Sequence, residues 1–157
     1  MDFIKAQTVL LKEWNSDKSG VAFGKYDDEH TAFTLNGYYA VIVPNDLFML
    51  DPAKTKRSPT NLFSEKGDLH PTAYNTPWFD TGIRKQNEKG MTVELKDKEG
   101  NVKYISEKSL KIFEDRKSTI TFLSTAVVGS PVFIDTEPYG TVGLIMPIRM
   151  KKEGGQE

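Results

Sequence analysis

The sequence predicts an α+β domain made of two similar halves, each a helix followed by three antiparallel strands. Three observations carry that expectation. From Thr141 to Met150 apolar and other residues alternate: Val142, Leu144, Met146, Ile148 and Met150 share one face, and Thr141, Gly143, Ile145, Pro147 and Arg149 share the other. Period-two alternation of that length marks a strand with one face on a core. Asn36-Gly37, set between apolar runs, is the strongest short signal for a hairpin. Helix-strand-strand-strand order occupies roughly residues 3–44 and recurs over 106–149. The closing strands read alike, Ala40-Val41-Ile42-Val43-Pro44 against Gly143-Leu144-Ile145-Met146-Pro147. Such a repeat implies internal two-fold pseudosymmetry, each helix covering one face of its strands.

In chain order, Asp2 caps a helix over Phe3–Trp14 with an apolar stripe through Phe3, Leu10 and Trp14. Strands follow over Val21–Tyr26, His30–Leu35 and Tyr38–Pro44, the first pair turned by Asp27-Asp28-Glu29. Residues 45–90 hold Pro52, Pro59, Pro71 and Pro77 and show no clean period. They read as a long irregular insertion, with a helical turn at Asp46–Leu50 and a short extended piece at Tyr74–Phe79; a stretch of that length is functional or partly mobile. Alternation returns over Met91–Lys96, and Lys98-Glu99-Gly100-Asn101 turns the chain into Val102–Ile105. Ser106 reads as an N-cap, with Ile105 and Leu110 as a hydrophobic staple, for a helix running to about Asp115. Strands at Thr119–Thr125, Pro131–Thr136 and Thr141–Met150 complete the second half. A Glu-Pro-Tyr-Gly turn joins the last two. The expected organisation is one domain over residues 1–150 (halves 3–44 and 91–150 around the insertion), then a polar tail over 151–157.

Composition narrows the function. The 157 residues are enough for one domain, and 38% apolar content fits a polar-surfaced globular chain. No run approaches a membrane span, and the start lacks a secretory signal, so the expected address is cytoplasmic with no membrane partner. Cysteine is absent, which removes disulfides, thiolate nucleophiles and zinc-thiolate sites. With a net charge of −1, nucleic-acid binding would require charge sorted onto one face. Asp27-Asp28-Glu29-His30 is read as a polar turn rather than a metal site, because adjacent residues in a hairpin rarely converge on one ion. Gly20–Lys25 lacks the spacing of a phosphate loop. Two histidines and no nucleophile elbow leave no catalytic constellation, so no catalytic residue, cofactor or metal is expected.

The segment around Leu144-Ile145-Met146-Pro147-Ile148-Arg149-Met150, with the strands at Ser118–Leu123 and Ser130–Ile134 and the helix at Tyr104–Phe113, resembles the end of the bacterial DNA sliding clamp, the polymerase III beta subunit. The resemblance spans roughly residues 102–150 and extends to the first half only in element order. It implies a DNA-clamp-like domain and a non-enzymatic role in DNA replication or maintenance. Partners would be duplex DNA, polymerase-type or other protein partners, and other copies of the chain joined through edge strands into an oligomer. The family has three such domains per chain, whereas this length holds one. The strand expected before the first helix is missing at Met1 unless residues 91–105 replace it, and the insertion is longer than the family's linker.

The resemblance places Leu144, Met146 and Pro147 in a pocket for partner peptides. It turns Lys5, Lys12, Lys108 and Lys111 toward DNA phosphates, with Lys103, Arg116 and Lys117 at the flanks; without it these lysines are ordinary solvated positions. Tyr74, Trp78 and Phe79 in the insertion either pin it to the body or anchor a protein partner. The alternative function is therefore a protein–protein adaptor that binds through residues 45–90 with no DNA contact.

Overall fold

The computed structural model describes residues 1–14, 21–35, 38–49 and 76–151. Helix α1 spans Phe3–Trp14. Asp2 starts it: its carboxylate accepts from the Lys5 backbone N–H at 2.9 Å, and its carbonyl from Ala6 at 3.1 Å. Phe3, Ala6, Gln7 and Leu10 form the buried face, the spacing of one helical stripe. Gln7 is buried without penalty because its amide is fully used. It donates to the Phe3 and Leu47 carbonyls and accepts from the Met49 N–H, stitching residues 47–49 to α1.

Strands β1 (Val21–Lys25), β2 (His30–Leu35) and β3 (Tyr39–Pro44) form an antiparallel meander, followed by a 3-10 turn at Asn45–Leu47. Then come β4 (Thr76–Asn87), β5 (Gly90–Lys96), β6 (Val102–Ser106), helix α2 (Glu107–Phe113), β7 (Ile120–Ser124), β8 (Val132–Thr136) and β9 (Gly140–Ile145). The strand order is β1-β2-β3-β9-β8-β7-β4-β5-β6, and every pairing is antiparallel. The described residues thus form a mixed α/β fold, mostly one nine-stranded antiparallel sheet with two helices. Ser106 caps α2 as its sequence position predicts, its hydroxyl accepting from the Ser109 N–H.

Three expectations about strands require correction. Residues 76–87, placed in the irregular insertion, form the long strand β4, which pairs with β7 at one end and β5 along the rest. Only Trp78 of the twelve is buried, so no hydrophobic alternation announced the strand; its backbone partners hold it extended. The final strand, expected to reach Met150, ends at Ile145. Pro147 has no N–H to continue a ladder. Residues 146–150 instead leave the sheet, with Met146 N–H donating to Tyr38 O at 2.8 Å and Ile148 N–H donating to Tyr104 O of β6 at 2.7 Å. The single face predicted for Val142, Leu144 and Met146 is also broken. The β8–β9 register slips between Ile134–Gly143 and Asp135–Thr141, leaving Val142 as the extra residue of a bulge.

Val142 and Ile145 join the main core with α1, α2, Phe33, Val93, Ile105 and Phe122, whereas Leu144 packs with Ala32, Ala40, Ile42 and Phe133 in a second cluster. Helix α2 touches β5, β6 and β9 and lies against α1. Its Phe113 ring lies where a Cβ on Gly143 would be, as does the Ala40 carbonyl. Glycine there permits the close approach of helix to sheet. Among the described residues no helix is long and apolar enough to cross a membrane.

Candidate functional site

The departure of residues 146–150 from the sheet creates the site. Between this segment, the two helices and the β4–β5 turn lies a groove of about 1110 Å³. Met146, Pro147, Ile148 and Met150 line it from the chain end, Val9 and Ile112 from the helices, Met91 from β5 and Tyr38 from just before β3. The rim is cationic. Lys5, Lys108 and Lys111 come from α1 and α2, and Lys89, Arg149 and Lys151 from the β4–β5 turn and the chain end, against Glu88 as the single acidic lining residue among those described.

Local contacts hold the rim in place. Lys5 Nζ donates to the Lys111 carbonyl at 3.2 Å, joining the two helices at their exposed edge. Lys89 Nζ sits 5.2 Å from the centroid of the Tyr38 ring, and Lys151 pairs with Glu88. The Asn87 amide lies 3.9 Å from Met150 Sδ, bringing the chain end to the β4–β5 turn. Such a surface can take an anionic ligand with an apolar part: cations bind charge at the rim while methionine and proline side chains cover the apolar portion. Among the described residues no three His, Asp or Glu side chains cluster as a metal site.

The structure brings together residues that the sequence reading kept apart. Met146 and Pro147 share one groove with Lys5, Lys108 and Lys111. Leu144 does not line it, being buried on the opposite face, and neither does Lys12, which is exposed. Of the three insertion aromatics, Trp78 is 2% exposed and so cannot serve as a free anchor, Phe79 is 55% exposed, and Tyr74 lies outside the described residues.

Lys103 was placed among basic residues flanking the helices, and the structure overturns this. It is 5% exposed, its Nζ within 2.6 Å of Ser124 Oγ, 2.5 Å of Ser130 Oγ and 3.2 Å of Ser130 O, and 4.9 Å from the Trp78 ring centroid. Burial pulls its pKa down to about 8, only partly offset by the negative charge of Asp97. The signal was available: Lys103 has the parity of Ile105 in β6, and both face inward. Lys89, Arg149, Lys151 and Tyr38 were missed because residues distant in sequence meet only when the chain end crosses to β6.

Comparison with protein-family models, with curated proteins and with solved structures found no significant match.

Proposed function

We propose that this chain is a DNA-associated binding protein of replication or maintenance, built on a sliding-clamp-like scaffold and acting through the cationic groove rather than by catalysis. The observation that carries this reading is the pairing at the centre of the sheet. β1-β2-β3 and β7-β8-β9 run outward from the β3–β9 contact in mirror order. Exchanging residues 40–44 with their sequence counterparts 143–147 maps the Ala40–Leu144 pair onto the Gly143–Val41 pair, which is its observed neighbour. That consistency supports two related halves, whose helices α1 and α2 also lie against each other.

In this reading the lysines of the two helices contact phosphates without reading sequence, and Met146 and Pro147 receive an apolar anchor from a protein partner. Assembly with other copies would use strand edges; among the described residues β1 is paired on one side only. The test is the salt dependence of binding to a short labelled duplex. Replacing Lys108 and Lys111 with alanine should weaken binding uniformly across sequences and reduce the log–log salt slope by about 2. An unchanged slope would remove DNA from the proposal.

The adaptor reading keeps one supporting observation: Phe79 and Ile83 of β4 are exposed at 55% and 45%. It places the partner on that strand and on residues 45–75. Deleting 52–73 together with Phe79→Ala and Ile83→Ala should then abolish capture while the fold survives, and retained capture would dismiss it.

A further inference from the structure

The Lys103 cluster is separate from the groove and has its own chemistry. Ser130 sits at the end of the β7–β8 loop, half-buried, after four exposed residues that include Val127 and Val128. Its hydroxyl lies 2.5 Å from Lys103 Nζ, 2.7 Å from Thr125 Oγ1 and 2.9 Å from Val127 O. Ser124 is fully buried, lies 2.6 Å from the same Nζ and donates to Pro131 O at 2.8 Å. The result is the hydroxyl of a half-buried serine, an amine behind it, and a third group orienting the amine. That is the arrangement by which a neighbouring base activates a serine nucleophile.

We propose that Ser130 is a base-activated nucleophile, with Lys103 as its general base and Ser124 as the positioning residue, able to accept an acyl or phosphonyl group from an electrophilic ester or fluoride.

The hydrogen bonds are consistent in both protonation states. As an ammonium, Lys103 donates to Ser124 Oγ, Ser130 O and Ser130 Oγ, while the Ser130 hydroxyl donates to Val127 O. As a neutral amine, Lys103 keeps its two donations to Ser124 Oγ and Ser130 O, and its lone pair accepts the Ser130 proton. In the reaction Ser130 Oγ attacks the acyl carbon or phosphorus and its proton passes to Lys103 Nζ. The leaving alkoxide or fluoride then departs with that proton, regenerating the neutral amine. The surroundings keep the amine available. No charged residue occurs between Ser118 and Ile134, so β7 and the β7–β8 loop contribute no ionic partner. From β4 the group facing it is the uncharged Trp78 ring. On the β5–β6 side the charge acting on it is that of Asp97, whose carboxylate is engaged by Asn101 and by the Glu99 and Asn101 N–H groups. A pKa of about 8 leaves a substantial neutral fraction just above neutrality.

The experiment is intact-mass and peptide-mapping mass spectrometry of the full chain exposed to an alkyl fluorophosphonate from pH 6 to 10. The expected result is a single adduct on Ser130, forming with a half-maximal rate near pH 8. The Ser130→Ala variant should lose that adduct. Lys103→Met should slow it by about 10²-fold or more, the usual contribution of a positioned base, and Ser124→Ala by less. Circular dichroism confirms the fold of each variant, and the wild-type adduct site and pH profile decide the matter even if a variant fails to fold. No adduct on the folded chain at pH 9, or adducts spread over surface serines such as Ser109 and Ser118, would overturn the proposal. DNA binding is read separately, so failure here leaves the groove reading untouched.

Discussion

Replacing Gly143 with alanine adds one methyl group at the contact on which helix and sheet both depend. The new Cβ would overlap the Ala40 carbonyl and Phe113 Cε1, and would lie 2.7 Å from Phe113 Cζ. Neither neighbour can yield easily. Phe113 is fully buried in the main core, and Ala40 belongs to β3, paired in register with Leu144 of β9. Overpacking a core typically costs ~1–3 kcal/mol, and here a ring and a backbone carbonyl are met together. The cost should therefore be about 3 kcal/mol or more, a large part of the ~5–15 kcal/mol that stabilises an ordinary domain. At ~2–4 °C per kcal/mol for a chain of this size, the melting temperature should fall by about 6–12 °C. Urea denaturation followed by circular dichroism measures it, with an unchanged slope showing that the transition stays two-state. Phe113→Leu in the same chain should relieve part of the overlap, giving a favourable coupling of about 1 kcal/mol or more in a double-mutant cycle. A Gly143→Ala protein within about 0.5 kcal/mol of the parent, or strictly additive losses, would refute the close approach of α2 to β9.

Three further outcomes are expected. Lys103 titrates at about 8 when folded and near 10.5 when unfolded, so between those pH values the unfolded chain binds more protons and stability rises with pH. The burden on the folded state is complete below pH 8 and absent above 10.5, on the order of 3 kcal/mol. Lys103→Met should thus change denaturation midpoints most at pH 7, and its difference from the parent should shrink by pH 10; a pH-independent difference would show that burial does not depress this amine. Trp78→Ala should cost about 3–5 kcal/mol while Phe79→Ala stays within about 0.5 kcal/mol, the contrast expected of a buried ring beside an exposed one; equal losses by thermal melting would contradict that placement. Ser106→Ala should cost about 1 kcal/mol by removing the cap of α2, and a neutral result would mean that the hydroxyl contributes nothing to that helix start.

Much of this molecule was determined locally. The Asp2 and Ser106 caps, the β1–β3 meander, the β5–β6 hairpin and the strands β7 and β8 follow from side chains within a few residues of one another, so propensity and periodicity suffice to place them. The rest was decided by partners far along the chain. β4 carries almost no apolar signal and is a strand because β7 and β5 satisfy its backbone. Alternation from Thr141 to Met150 predicted one long strand, but it could not show that Val142 would bulge or that Pro147 would end the ladder. Nor could it show that residues 146–150 would cross to β6, building the groove and joining Met146 and Pro147 to lysines of both helices. Lys103 makes the same point for charge. A lysine in sequence reads as solvated, and the Trp78 ring, two serine hydroxyls and the Ser130 carbonyl, supplied by other strands and a loop, make its burial tolerable.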